Sequence, residues 1–415
     1  MRRRLPVIGT CILLAVAHPV SAQTAGVPEC PAPVAVDPRT ARPHEQLRGS
    51  LPLAHAIATG AGVKVAVVDT GVAPHPRLPA PFPGGDLVGA HSAANTPGEL
   101  IDCDGHGTIV AGIIAARAKN GNGWPYDGDG DEHIGIAPGS EIIAIKQTTS
   151  QVRTGPDTGI GTLGSLADSI HRAIDHGARV VNVSVVSCIP PERAGDIAGT
   201  AIDSALIRAE ESGVVVVSAA GNLSNHCPAG SIVYPAHAPT VLAVAASSDS
   251  HTIAGYSLPA PAPGVSAPGR VPAGLSPRDA GFSQAMRTAS GSSPFEGTSF
   301  AAPVVAGTAA LLIERHPQLP SAEIRRRITG SVDPSIGAVD PYLALTHVPA
   351  DELPEEHPVR PAPPATVDAS GRDRALLLLG ALGTLLILAA LIGGWSMGHR
   401  IPPQRRAPVS RSTPA

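Results

Sequence analysis

Lys64-Val65-Ala66-Val67-Val68-Asp69-Thr70-Gly71-Val72 is the stretch whose reading decides the fold. Residues 65–68 are apolar without alternation, which is how a strand covered on both faces reads. Ile142 to Ile145, Val180 to Val185, Val214 to Val217 and Thr240 to Ala245 repeat that character further along the chain. Helical spacing fills two of the intervals. Leu166, Ile170 and Ile174 share one face of a stretch from Gly164 to His176, and Ile202, Leu206 and Ala209 share one from Ala198 to Ser212. Each stretch stops at a glycine, Gly177 or Gly213, where a left-handed C-terminal residue is favoured. Strand and helix in alternation predict an α/β fold with a doubly wound, mostly parallel sheet.

In such sheets the working residues gather at the carboxyl ends of the strands. Four short motifs fall there or at helix starts: Asp69-Thr70-Gly71-Val72, Asp104-Gly105-His106-Gly107-Thr108, Ala219-Ala220-Gly221-Asn222 and Gly297-Thr298-Ser299-Phe300-Ala301-Ala302-Pro303. A serine hydroxyl becomes a nucleophile when a neighbouring base takes its proton, and histidine suits that role near neutrality. A buried carboxylate then fixes the imidazole tautomer. Asp69, His106 and Ser299 are the expected catalytic residues. Ser299, at a helix N-terminus, would have backbone N–H groups facing a developing oxyanion, and the Asn222 amide would add a second donor. No Gly-x-Ser-x-Gly elbow occurs in the chain, which argues against a different serine-hydrolase fold.

The ends of the chain predict its compartment. Arg2, Arg3 and Arg4, the apolar run Leu5 to Ala17 and the small residues Val20-Ser21-Ala22 form a signal-peptide pattern over residues 1–22. Residues 375–397 are 23 consecutive positions without a charged side chain, enough to span about 30 Å of hydrocarbon as a helix, and Trp395 stands at an interfacial position. Export of the bulk of the chain leaves residues 398–415 as a cytoplasmic tail, and Arg400, Arg405, Arg406 and Arg411 agree with that orientation. Residues 347–374, rich in Pro, Glu, Asp and Ala, read as an extended linker. A short extension, 23–46, then precedes a folded domain at 47–346. The expected location is the cell membrane, single-pass, with the catalytic domain outside the cytoplasm.

Four cysteines remain after the signal segment: Cys30, Cys103, Cys188 and Cys227. An even count in an exported domain implies two disulfides, with three pairings open, and the spacing does not suit zinc. A net charge of −4 and no basic patch with interleaved aromatics exclude a nucleic-acid partner. The loop Asp127 to Glu132 alternates carboxylates, but the twelfth position of a calcium loop would be Pro138, so an exposed polar loop is expected rather than a metal site. His133, His171, His176 and His226 are expected to be solvated or structural. The Pro-rich insert Leu258 to Pro294 is expected to be a surface loop. Neither cofactor nor metal is called for.

The four motifs, in the order Asp, His, Ser, resemble the subtilisin family over about Leu47 to Tyr342. The resemblance implies a three-layer subtilisin-like sheet and peptide-bond cleavage through an acyl-enzyme. It also implies that Ser184, Val185 and Val186 form a strand pairing with substrate backbone, narrowed at Val186 where many subtilisins have glycine. Only 46 residues, 23 to 68, precede Asp69, too few for a separate folding prodomain. Signal peptide, cysteine-bearing extension, linker, C-terminal helix and the Ile145-Lys146-Gln147-Thr148-Thr149 stretch together resemble the mycosins, membrane-bound subtilases of type VII secretion systems. That likeness implies disulfides Cys30–Cys103 and Cys188–Cys227, secreted protein substrates and secretion-complex partners. The first bond would hold the extension by the groove and stabilise the fold by about 4 kcal/mol on the chain-entropy model. A structural role in the secretion complex and a general degradative role at the surface are the alternatives.

Overall fold

The structure, a computed structural model, describes residues 30–39, 45–89, 95–119, 131–151, 158, 160–197, 199–288, 291–352 and 370–397. The signal segment, most of the linker and the tail beyond residue 397 lie outside the described residues. The chain divides into two compact units, residues 1–353 and 354–415.

The first unit is built on a seven-stranded sheet, all parallel, in the spatial order Gly264–Pro268, Val241–Ser247, Val215–Ala219, Val180–Val183, Lys64–Asp69, Glu141–Lys146 and Phe82–Asp86. Successive side chains of a strand point to opposite faces. Val65 and Val67 therefore join one core with the helices His106–Ala115 and Thr298–Arg315. Ala66 and Val68 join the other, with the helices Leu163–Asp175 and Ala201–Glu211. The unbroken apolar run of the central strand thus serves two cores at once, and the result is the expected three-layer subtilisin-like α/β fold. From Lys64–Asp69 the chain goes to the edge strand Phe82–Asp86, comes back to insert Glu141–Lys146 between the two, and then builds the opposite side. The carboxyl ends at that reversal open into a crevice, the site of ligand binding in sheets of this kind.

Three expectations need correction. The strand expected to run on to Val185 ends at Val183, the last residue with partners, Val68 and Ser218, on either side. The Leu258 to Pro294 insert is not a surface loop. Gly264–Pro268 is the edge strand of the main sheet, because Val265 and Ala267 are buried in its core. Gly274–Leu275, Phe282–Thr288 and Gly291–Pro294 form an antiparallel sheet with Pro33–Val36 of the extension, in the register Val36 to Phe282 and Pro33 to Met286. Finally, Asp131 is not an exposed loop residue. It is buried and takes a 2.9 Å ion pair from Arg77, whose guanidinium also lies 5.5 Å from the Phe282 ring. Glu132 pairs with Arg48, and residues 127–130 of that loop lie outside the described residues.

The described part of the second unit is one helix, Ser370–Met397, starting five residues before the apolar run. Its segment Ser370–Gly393 has mean hydropathy 2.7 and none of it is buried, so it is long and apolar enough to cross a membrane.

Candidate active site

Asp69 ends the central strand, His106 begins one buried helix and Ser299 stands in the first turn of another. The three meet at hydrogen-bond distance. Asp69 Oδ1 is 2.7 Å from His106 Nδ1, and His106 Nε2 is 2.9 Å from Ser299 Oγ. Asp69 is fully buried, Ser299 is 9% exposed, and the His106 side chain keeps 26% of its surface in contact with solvent. The ring leans on Phe300 with centroids 4.8 Å apart. Burial works against a charged His106. The Asp69 charge and hydrogen bond, helped by Asp102 and Asp104, outweigh it and hold the imidazole pKa above its ordinary value.

A second tier of bonds holds these residues, and it centres on Asp102, which the sequence reading passed over. Asp102 is fully buried. Its Oδ1 accepts from Thr70 Oγ1 and from the Gly105 amide, both at 2.8 Å. Its Oδ2 accepts from the Thr108 amide at 2.8 Å and the Thr108 hydroxyl at 2.6 Å. It therefore ties the end of the central strand to the start of the helix that carries His106, and takes up two N–H groups around that start. Burial pushes the Asp102 carboxyl up, with the Asp69 charge adding to it, against the hydrogen bonds from Thr108 and Thr70. Thr70 donates its amide to Asp69 Oδ1 at 2.8 Å and accepts the Gly107 amide at 3.0 Å. A Cβ on Gly107 would fall 2.0 Å from the Gly71 carbonyl oxygen, so only glycine lets strand end and helix start close this tightly. The signal for Asp102 was present, an acid four positions before His106, but a carboxylate that binds only backbone amides and threonine hydroxyls has no chemistry to advertise it.

Asn222 follows the Val215–Ala219 strand. Its Oδ1 accepts the Thr298 amide at 3.0 Å and the Thr298 hydroxyl at 3.1 Å, which leaves Nδ2 to face the site. A Cβ on Gly297 would sit 3.0 Å from Asn222 Nδ2 and 3.0 Å from Ser299 Oγ. The space over Gly297 is thus within reach of a nucleophile and of a donor together, as a reacting carbonyl requires.

Ser184, Val185 and Val186 diverge in role. Ser184 is buried; its hydroxyl accepts from Asn182 Nδ2 at 2.8 Å and donates to the Ser299 carbonyl at 3.0 Å. Pro303, four residues beyond Ser299, has no N–H to offer that carbonyl, and Ser184 supplies the missing donor. Val185 and Val186 line a cavity of about 280 Å³ with Gln147, Thr162 and Leu166. Among the described residues no strand partner holds residues 184–186, so the expected strand is an unpaired segment. A second cavity, about 370 Å³, opens at His106, Ser299 and Asn222 and is walled by Pro31, Met286, Phe295 and Glu296. The bond Cys30–Cys103, Cα atoms 4.9 Å apart, holds the extension at that wall, and Cys188–Cys227 closes a loop elsewhere with Cα atoms 5.4 Å apart. Among the described residues no cluster of three or more metal-ligating side chains occurs.

A serine hydroxyl bonded to an imidazole on this three-layer sheet defines a class. The chain belongs to the subtilase family, serine proteases whose family model, described as "Subtilase family", matches residues 60–352. Within that family it falls in the mycosin branch. It is 35% identical to Mycosin-1 of Mycobacterium tuberculosis, the match covering 82% of this chain and 81% of that protein. It is 32% identical to Mycosin-3 of the same organism, over 89% and 86%. The crystal structure of MycP1 from Mycobacterium smegmatis superposes with a TM-score of 0.66 at 32% identity, covering 80% of this chain and 92% of that one. A chain of the intact ESX-5 inner membrane complex does so with a TM-score of 0.66 at 32% identity, covering 88% and 94%.

Proposed function

We propose that the chain is a membrane-anchored endopeptidase, facing away from the cytoplasm, in which Asp69, His106 and Ser299 form the catalytic triad. The observation that carries this reading is the continuous hydrogen-bonded line from Asp69 Oδ1 through His106 to Ser299 Oγ. His106 Nε2 takes the Ser299 proton as Oγ attacks the scissile carbonyl, while Asp69 keeps Nδ1 protonated and steadies the imidazolium. Asn222 Nδ2 and the N–H groups at the start of the Thr298–Arg315 helix receive the oxyanion. The imidazolium then protonates the leaving amine, and water, deprotonated by the same ring, releases the acyl group from Ser299. Val185, Val186 and the open backbone of residues 184–186 bind the substrate as an added strand. The Ser370–Gly393 helix anchors the enzyme.

Membership of the mycosin branch supports a place at a type VII secretion system, cleaving proteins that the system exports. The likeness to a chain of an ESX-5 inner membrane complex favours a second role beside the first, as a structural part of such a complex. One experiment separates them. Exported proteins and their termini are compared in wild type, a deletion strain and a Ser299→Ala strain of equal expression. Loss of cleavage and of export alike in Ser299→Ala makes proteolysis the essential activity. Loss of cleavage with normal export, set against no export from the deletion, makes the two roles separable. Unchanged termini in all three strains would falsify the processing role.

A further inference from the structure

Lys146, part of the stretch that marked the mycosin resemblance, has no role in the reaction above. It is nonetheless the bulkiest of the fully buried side chains among the described residues, with 0% exposure. A lysine in the interior needs a hydrogen-bond acceptor and a counter-charge. The acceptor is the Ile101 carbonyl, 2.6 Å from Nζ, which directly precedes Asp102 in the loop that leads into His106. The candidate counter-charges are carboxylates that register brings onto the same face without a direct ion pair. Lys146 ends its strand paired with Asp69 on one side and Asp86 on the other, and register partners in a parallel ladder project to the same face. Asp69 lacks something in turn. Its Oδ1 is occupied by His106 and Thr70, but its Oδ2 is buried with no hydrogen-bond partner among the described residues. Leaving a carboxylate oxygen bare in the interior is costly without a nearby cation.

We infer that Lys146 is a positioning residue for the Asp69–His106 couple: its ammonium balances the buried carboxylates of Asp69 and Asp102 and grips, through Ile101, the loop that delivers the His106 ring. This inference rests on the triad reading. The other carboxylates around the couple are Asp86 on the outer strand, buried Glu99 on the Gly98–Leu100 turn, and Asp102 and Asp104 on the loop. Further cations stand at the same loop and cleft: exposed Arg278 donates to the Cys103 carbonyl at 3.2 Å, and exposed Arg287 lines the cavity at His106. Water screens those two arginines, whereas Lys146 is fully buried, so its loss is the one the couple would feel most.

The test uses the full chain in detergent micelles and a fluorophosphonate probe, which phosphonylates Ser299 Oγ and so reads the ionisation of His106 without a known substrate. Labelling rate is followed against pH for wild type, Lys146→Met, Lys146→Gln and Lys146→Arg. Removing a positive charge favours the imidazolium, so in Lys146→Met the midpoint moves up by about one pH unit and labelling at neutral pH falls by about tenfold. Lys146→Gln keeps a donor for the Ile101 carbonyl without the charge; its midpoint moves the same way, and it decides the matter should Lys146→Met fail to fold. Lys146→Arg returns the midpoint to the wild-type value. A midpoint unmoved in the folded neutral variants overturns the inference even if thermal stability falls, because a purely structural lysine would lower stability alone. Failure of the wild type to label, or equal labelling of Ser299→Ala, would instead defeat the triad reading.

Discussion

Two helices of this chain are apolar nearly all round, and their surroundings differ completely. Thr298–Arg315 has its first sixteen residues buried, packed between the parallel sheet and the helix His106–Ala115. Ser370–Met397 has Leu377, Leu378, Leu385 and Leu386 each more than 60% exposed. A helix apolar on every side must be covered on every side. The first finds its cover in protein, and carries Ser299 on its buried N-terminal turn. The second finds none in its own unit, and lipid is the remaining solvent that suits it. The same composition thus gives rigid placement in one case and, on the proposed reading, a membrane anchor in the other.

The largest effect that sharpens this contrast is at the start of the buried helix. Ser299→Ala should cut acylation by about 10⁴-fold or more while leaving the unfolding midpoint unchanged, read by fluorophosphonate labelling and by calorimetry. Next comes a matched pair of truncations. Leu312→Ala, at a fully buried position of the first helix, should cost about 2–5 kcal/mol in urea unfolding of the peptidase unit. Leu385→Ala, at a position 65% exposed in the second, should cost that unit less than about 0.5 kcal/mol. Equal costs would break the comparison.

Leu385→Arg tests the other half. A charge at the centre of a membrane helix is penalised by about 3 kcal/mol on insertion scales, so a larger fraction of the protein should appear in the soluble fraction after carbonate extraction. An unchanged distribution would remove the anchoring role.

A smaller effect lies in pH. His106 is held above its ordinary pKa, so its protonation favours the folded state. That contribution is complete below about pH 6.5, the unfolded value, and is lost as pH rises through the folded one. The acid limb of the labelling profile should accordingly lie above pH 6.5. Asp69→Asn should lower that midpoint and flatten the stability difference across the same window.

Much of the site was legible before any coordinates. Residue types at motif spacing mark Asp69, His106, Asn222 and Ser299 because each would do a distinct chemical task in the proposed reaction and needs small neighbours. The supporting tier was not legible. Asp102, Thr70 and Thr298 act on backbone and on one another, and nothing in a one-dimensional pattern separates such residues from ordinary polar loop positions. The antiparallel sheet was missed for a related reason. Phe282–Thr288 lacks a clean alternation, Gly291–Pro294 is exposed throughout, and the other partner of Phe282–Thr288, Pro33–Val36, lies about 250 residues away in the chain. Pairing between distant segments leaves little local trace.

By itself the sequence determined the class of fold, since an unbroken apolar strand can only be covered on both faces. It also determined the order of the candidate catalytic residues and the presence of one span-length apolar helix. Only the tertiary structure decided that Ser184 completes the hydrogen bonding of Ser299 where Pro303 cannot. It alone paired Pro33–Val36 of the extension with Phe282–Thr288 and set Lys146 in register with Asp69 in the interior. Those outcomes depend on strand register and long-range closure, which are set by packing across the whole molecule and not by any one segment.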